Sequence, residues 1–287
     1  MQEAGMQEAV DARPLPDVIS LMHAVEEQQR AAEAKEKDYI YRESERVEQR
    51  DGHGGVKKVE TREYDIFWLN GVVVRKLVKQ DGKELSAEEQ AKESERIDKE
   101  VARARERRTK LEGEGKATDP NGNEEITVSR MLELGSFGNA RRILVHGRPT
   151  ILVDFTGDPK AKTRNPAENA MREMGGTVWV DEQDRAIEHL EGRFVNNFKL
   201  GGGLLVNVKK DTSFELTQVK VNDEVWLPQE GTVTGQARVL LLFSVNGRFQ
   251  IRDGDYRRFK ATSTILPGVT ADEASPAPAS PASSPPQ

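Results

Sequence analysis

A strand–turn–strand pattern at residues 56–80 restricts the possible folds of this chain more than any other feature of its sequence. The segments VKKVETREYDIFWL and VVVRKLVKQ are rich in β-branched and aromatic residues, and Asn70-Gly71 joins them. Asn-Gly between two such segments is the strongest short-range signal of a β-hairpin, because both residues tolerate the positive φ angles of a tight turn. A third segment at residues 38–50 precedes the turn DGHGG at 51–55. We therefore predict a three-stranded antiparallel meander.

The same pattern returns in the second half of the chain. From residue 177 to about residue 264, short apolar or alternating segments are separated by Asp, Asn and Gly. This punctuation is typical of antiparallel strands. The fold class predicted from the residues is therefore mainly β, with helices added to the sheet.

Two helices are predicted from capping signals. Asp17 can cap a helix over 17–37, whose apolar residues recur at helical spacing. Ser86 and Glu89 form a capping box at the start of a second helix over 86–112. The second helix is highly charged and has a narrow apolar stripe, which consists of Ile97, Val101, Ala104 and Leu111. This pattern favours a solvated helical insertion, and a partner-binding helix is the alternative.

The predicted domain organisation is simple. Residues 1–16 form a flexible N-terminus, and residues 17–265 form a single β-rich domain that includes both helices. Residues 266–287 are rich in proline, alanine and serine and contain no aromatic side chain, so they form a disordered tail that cannot bury a core.

Composition excludes several classes of function. The chain has no cysteine, which rules out disulfides, thiolate zinc sites and a cysteine nucleophile. The net charge is −6 and the basic run RARERR at 103–108 lies in a glutamate-rich helix, so no nucleic-acid partner is predicted. No apolar run reaches membrane-spanning length, and the N-terminus as written lacks the basic start and apolar core of a secretory signal.

No motif for catalysis, metal or cofactor binding is complete. The four histidines have no ligand spacing. GEGKAT at 113–118 lacks the first glycine of a phosphate-binding loop, because that position is Lys110. DPNGNE at 119–124 departs from a calcium loop at its glycine and closing glutamate positions. We predict no catalytic residue, metal or cofactor; the enzymatic alternative is a hydrolase that uses acids at the open edge of the sheet.

Gly201, Gly202 and Gly203 pose a choice between a phosphate cradle and a bend in the sheet. A phosphate cradle leads into a helix whose N-terminal amides bind the anion. Here the glycines lie between two strand-like segments, and LLVNVKK follows them. They are therefore predicted to form a bend at the rim of a cavity.

The β-rich part of the chain resembles the LolA/LolB-like periplasmic lipoprotein carriers, the outer-membrane lipoprotein-sorting superfamily, and most of all uncharacterised envelope members. The resemblance spans roughly 38–265 and is carried by YDIFWLNGVVVRKLVKQDGKELSAEEQAKESER, GTVWVDEQDRAIEHLEGRF, FKLGGGLL, VNDEVWLP and YRRF. It implies a strongly curved antiparallel sheet or incomplete barrel, with the N-terminal helix and short helices on the concave side. It also implies a location in the periplasm or cell envelope, and a cytoplasmic location is the alternative because the sequence shows no secretory signal.

The leading hypothesis is a non-enzymatic envelope protein that holds an acyl chain, a lipid or a lipoprotein in an apolar cavity, and an ordinary filled core is the competing interpretation of the same side chains. The candidate lining residues are Trp68, Trp179, Leu190, Phe194, Leu205, Trp226, Leu241 and Phe243. The alternative hypothesis is a protein-interaction or envelope-stress sensor module with a filled core, in which the helix at 86–112 contacts an envelope protein partner.

Overall fold

The computed structural model describes residues 7–8, 13–200, 205–239 and 243–259. In these ranges the helices are α1 (Val18–Glu36), α2 (Ala87–Gly113), α3 (Val128–Leu134) and α4 (Pro166–Met171). The strands in the same ranges are β1 (Gln7–Glu8), β2 (Tyr39–Arg50), β3 (Val56–Leu69), β4 (Val72–Gln80), β5 (Lys83–Glu84), β6 (Gly135–Val145), β7 (Arg148–Gly157), β8 (Met174–Asp181), β9 (Ala186–Phe194), β10 (Phe198–Leu200), β11 (Val206–Val208), β12 (Ser213–Val221), β13 (Val225–Val239) and β14 (Phe243–Arg258).

All fourteen strands of the described ranges belong to one sheet. Its main order is β1-β6-β7-β8-β9-β12-β13-β14-β2-β3-β4-β5, and β11 joins it beside β13 while β10 pairs with β11. Every strand pair of this sheet is antiparallel. The two ends of this order do not pair with each other within the described residues, so the sheet is an incomplete barrel. The predicted mainly β fold with an N-terminal helix and few other helices is confirmed.

The meander of β2, β3 and β4 follows from its turns. Asn70 and Gly71 have φ angles of 52° and 76°, as the tight turn requires. Tyr41 pairs with Ile66, which in turn pairs with Arg75, and this register places all three side chains on one face.

β9 and β12 form a long hairpin that continues, after an interruption, as β10 and β11. Phe198 pairs with Val208, and Leu200 pairs with Val206. Gly201–Gly203, the predicted bend, lie outside the described residues. The strands on either side of these glycines, β10 and β11, are described and pair with each other antiparallel.

α1 packs on one face of the sheet, which we call the inner face. Asp17 caps the helix by accepting a hydrogen bond from the Ser20 amide at 2.9 Å. The buried core between α1 and the inner face of β7 and β8 consists of Leu21, Val25, Ile151, Val153, Val178 and Val180. The C-terminal end of α1 leads directly into β2, so this packing also fixes the position of the meander in the sheet.

α2 packs on the opposite, outer face of β3 and β4, so the expectation of a solvated arm is wrong. The apolar stripe of the helix lies against strand residues that alternate with the inner-face set. This second core consists of Ile97, Val101 and Ala104 from α2 with Val72, Val74, Phe67 and Leu69 from the strands. Glu93 and Arg96 of α2 also bond the backbone of β4, at 2.7 Å to the Leu77 amide and 2.6 Å to the Arg75 carbonyl. The helix therefore covers part of a sheet edge.

The chain termini are only partly described. Gln7 and Glu8, inside the segment predicted to be flexible, pair with Leu144 and Ile143 of β6. The predicted tail at 266–287 lies outside the described residues. Among the helices that the structure describes, none is long and apolar enough to cross a membrane.

Candidate functional site

The two halves of α1 differ in what lies beneath them. Its buried residues, Leu21, Met22 and Val25, are all in the first half of the helix. The second half reads QQRAAEAKE and has short alanine side chains on the side that faces the sheet. A cavity of about 290 Å³ lies between this half of the helix and strands β9, β12 and β13.

The floor of this cavity is apolar because of strand register. Leu190 of β9 pairs directly with Leu216 of β12, so their side chains stand next to each other on the inner face. Ile187 and Val225 continue the same surface. The complete lining consists of Val25, Gln28, Gln29, Ala31, Ala32, Lys35, Glu36, Ala186, Ile187, Leu190, Leu216, Gln218, Glu224, Val225 and Trp226. We call this space the apolar cavity.

Two of the three charged side chains that line the apolar cavity already have partners. Lys35 donates a hydrogen bond to the Glu224 carbonyl at 3.3 Å. The Glu224 carboxylate accepts from the Tyr39 hydroxyl at 2.5 Å and pairs with Arg258 at 2.9 Å. Glu36 has no hydrogen-bond or ion-pair partner among the described residues. Burial, assisted by the charge of Glu33, raises the pKa of Glu36 to about 7.

A second cavity lies on the other side of the same half of α1. It has a volume of about 460 Å³ and separates the helix from the connection between α2 and α3. Its lining consists of Gln29, Arg30, Glu33, Glu36, Glu112, Lys116, Ala117, Thr118, Asp119, Pro120 and Glu125. Gln29 and Glu36 also line the apolar cavity, so the two spaces share a wall. We call this space the acidic cavity.

Two of the eight side chains predicted to line a cavity are brought together at the apolar cavity. Leu190 lies on its floor, and Trp226 lies at its rim, where the indole N–H donates to Asp184 at 3.0 Å. Trp68 is on the inner face near the end of α1, and the Lys37 ammonium lies 5.2 Å from its ring centroid.

The other predicted residues lie elsewhere. Trp179 alternates with the buried Val178 and Val180, so it is on the outer face, and its ring lies 4.9 Å from that of His189. Phe194 and Leu205 are at or near the β10–β11 end of the long hairpin. Phe194 stacks on Phe198 at 6.1 Å, and Leu205 is 45% exposed.

Two of the predicted lining residues have no described side chain. Leu241 lies outside the described residues. Phe243 is the first residue of β14 and pairs with Val239.

No protein-family model matches the chain, and no curated protein matches it. Among solved structures, it is similar to the crystal structure of a LolA superfamily protein from Nitrosomonas europaea. The two sequences are 7% identical, the match covers 86% of this chain and 94% of the other, and the TM-score is 0.34.

The other half of the inner face is charged. Glu43 and Glu45 of β2 are buried, and Arg75 of β4 binds both. Arg62 also pairs with Glu45 at 2.8 Å, and the Arg75 guanidinium lies 4.2 Å from the centroid of the Tyr64 ring. Glu43 and Glu45 are therefore bound by arginines and lie within the sheet, not at its open edge. Within the described ranges, no group of three or more His, Cys, Asp or Glu side chains is arranged to hold a metal ion.

The sequence analysis missed most of the lining residues. Ile187, Leu216 and Val225 have ordinary aliphatic side chains in strand-like segments, and nothing in their local sequence separates them from core residues. Their common property is their place in the register, which is set by pairing between distant segments. The signal that was available is in α1, where the apolar spacing stops after Val25 although the helix continues to Glu36.

Proposed function

We propose that this protein binds the acyl chain of a lipid or lipoprotein in the apolar cavity, without covalent chemistry. The observation that carries the proposal is the cavity of about 290 Å³ beneath the second half of α1. Its floor is made by Ile187, Leu190, Leu216 and Val225. The sequence resemblance to LolA/LolB-like carriers supports the same ligand class and a place in the cell envelope.

The size and chemistry of the cavity fit one extended alkyl chain. Small-molecule sites in proteins begin at about 300 Å³, so the cavity is at the lower end of that range. Each methylene transferred from water to such a surface contributes about 0.8 kcal/mol. Apolar contact alone can therefore provide measurable affinity, and the floor needs no polar group to recognise the chain.

The alternative function, an interaction module that uses the helix at 86–112, has lost part of its support. The apolar stripe of α2 lies against β3 and β4 and is not available to a partner. What remains for a partner is the charged outward side of the helix. Deletion of residues 86–112 would expose Val72 and Val74, so loss of a partner in such a variant would not by itself favour the alternative.

Lipid extraction and direct binding test the proposal. Full-length protein purified from its host is extracted with organic solvent, and the extract is analysed by mass spectrometry. In parallel, a neutral apolar fluorophore, N-phenyl-1-naphthylamine, is titrated into the protein, and dodecanol is used to displace it. We expect recovered lipid, saturable fluorescence and displacement.

A cavity-filling variant identifies the site. Leu216→Trp places a large ring on the cavity floor and is expected to reduce fluorophore binding at least tenfold, because the ring occupies the space of the chain. Ile19→Trp, at a position 49% exposed on α1, is the matched control and should bind as the wild type does. Circular dichroism checks that both variants are folded. Unchanged binding by folded Leu216→Trp would exclude the apolar cavity, and absence of both lipid and binding in the wild type would refute the function.

A further inference from the structure

The outward side of α2 differs between the two halves of the helix. In the first half, exposed lysines are neutralised by acids one turn away. Lys92 pairs with Glu88 at 2.7 Å, and Lys99 pairs with Glu95 at 2.5 Å. Such pairs are the ordinary arrangement on a solvated helix, and they stabilise it.

The second half of α2 has an excess of positive charge. Residues 102–110 include five basic residues and one acid, Glu106, which gives this segment a net charge of +4. Arg103 and Lys110 are exposed and have no hydrogen-bond or ion-pair partner within the part of the chain that the structure describes. Arg107 donates only to a backbone carbonyl, at 2.9 Å. The spacing i, i+4, i+7 places these three cations on one side of the helix, which we call the basic surface of α2.

The stability of the helix does not account for the basic surface. Like charges four residues apart, as in Arg103 and Arg107, destabilise a helix. The helix dipole favours a cation in the last turn, which contains Lys110, but its effect does not reach back to Arg103. The surface is also opposite in sign to the whole chain, whose net charge is −6. An anionic partner would offset this repulsion between like charges.

The surroundings of the basic surface favour a partner that is recognised by charge alone. None of the exposed large apolar side chains of the described ranges lies on α2. Protein interfaces are centred on aromatic or aliphatic anchors, and the outward side of this helix offers none. An anionic lipid surface needs no such anchor, since each Lys or Arg close to it contributes about fivefold in affinity.

We propose that the basic surface of α2 contacts the anionic head groups of a lipid bilayer. The choice of a bilayer over other polyanions rests on the proposed function, because an acyl ligand comes from a membrane or is delivered to one. The contact is peripheral, and it is weakened by salt because the cations are exposed.

Vesicle flotation tests the proposal with the full-length protein. The vesicles consist either of phosphatidylcholine alone or of phosphatidylcholine and phosphatidylglycerol in equal parts. We expect binding to the anionic vesicles only, at about 0.05 M sodium chloride, and its loss at about 0.5 M, where the charges are screened. Arg103→Gln/Lys110→Gln should bind the anionic vesicles at least about tenfold more weakly than the wild type. Circular dichroism checks that the variant is folded.

A matched variant separates the basic surface from the overall charge. Lys209→Gln/Lys210→Gln makes the same change in net charge at exposed positions next to β12, which four strands separate from β4 in the sheet. It should bind the vesicles as the wild type does. An equal loss in both variants, or no loss in folded Arg103→Gln/Lys110→Gln, would overturn the proposal.

Two further measurements separate the other outcomes. Binding of a labelled DNA duplex through Arg103 and Lys110, without vesicle binding, would overturn the proposal in favour of a nucleic acid. Binding of N-phenyl-1-naphthylamine, measured without vesicles, should be unchanged in Arg103→Gln/Lys110→Gln. Loss of vesicle binding with intact fluorophore binding in the wild type refutes this inference alone, whereas absence of fluorophore binding refutes the proposed function.

Discussion

Replacing Asp253 with asparagine should change how the stability of the protein depends on pH. Asp253 of β14 pairs directly with Glu43 of β2, which is itself buried. The Oδ1 atom of Asp253 is buried and has no hydrogen-bond partner within the described residues. Burial, together with the negative charge of Glu43, raises the pKa of Asp253 from 3.8 to about 8, although Arg75 opposes the shift.

The sign and size of the effect follow from proton linkage. Between pH 4 and pH 8 the folded protein holds a proton on Asp253 that the unfolded chain has released, so the free energy of unfolding falls as the pH rises. Each pH unit in this window removes about 1.4 kcal/mol, which gives a loss of about 4 kcal/mol at pH 7. Asparagine keeps the shape of the neutral acid and cannot ionise. Asp253→Asn should therefore equal the wild type in stability near pH 4 and exceed it by about 4 kcal/mol at pH 7.

Urea denaturation followed by circular dichroism at pH 4, 5, 6, 7 and 8 measures this difference. Asp98→Asn is the matched control, because Asp98 is exposed on α2 and the substitution removes the same charge. The control should follow the wild-type dependence on pH. If the stability curves of Asp253→Asn and the wild type run parallel from pH 4 to pH 8, the carboxyl is not buried beside Glu43, and the reasoning is wrong.

Three further predictions concern the fold, each measured by urea denaturation at pH 7. Gly122 has a φ of 72°, and a methyl group on it would overlap the backbone of α2. Gly122→Ala should therefore lower the free energy of unfolding by about 1–3 kcal/mol more than Gly82→Ala, where φ is 76° but the surrounding space is open. Equal losses in the two variants would contradict the close approach of the 119–123 turn to α2. Ile97→Ala should lower stability by about 2–3 kcal/mol, because Ile97 is buried between α2 and the sheet, and a loss below about 0.5 kcal/mol would indicate a solvated helix after all. Glu168→Gln should lower the free energy of unfolding by about 3 kcal/mol, because it breaks a buried bidentate ion pair with Arg130 of α3. Hydrogen bonds from that arginine lower the pKa of Glu168, so the stabilisation is present above pH 4.5 and the difference between variant and wild type should disappear as the pH falls below it.

The features that the sequence predicts correctly are local ones. The Asn70-Gly71 turn depends on two residues that accept positive φ, and the Asp17 and Ser86 caps depend on a side chain and amides within three positions. Such signals are complete within a few residues of chain. The meander, the two long helices and the mainly β class follow from them directly.

The features that the sequence analysis missed depend on which segments meet. Trp179 looks like any buried aromatic residue in a strand, and only the position of α1 over Val178 and Val180 makes its own face the outer one. The sequence of α2 has the composition of a solvated helix. Its apolar residues are buried only because the outer face of β3 and β4 also carries apolar side chains, against which they pack. The cavity lies where Ala31 and Ala32 of α1 line the same space as Leu190 and Leu216 of the strands. None of these contacts can be predicted from a single segment of the sequence.

The inner face of the sheet is divided into two halves, and this division determines where a chain can lie. Beneath α1 the strands present aliphatic side chains, whereas β2, β3 and β4 present Glu43, Glu45, Arg62 and Arg75. An alkyl group placed on the charged half would separate these ion pairs from water without replacing their solvation, which costs several kcal/mol per charge. If the protein binds an alkyl chain as proposed, this charged half confines that chain to the space beneath α1.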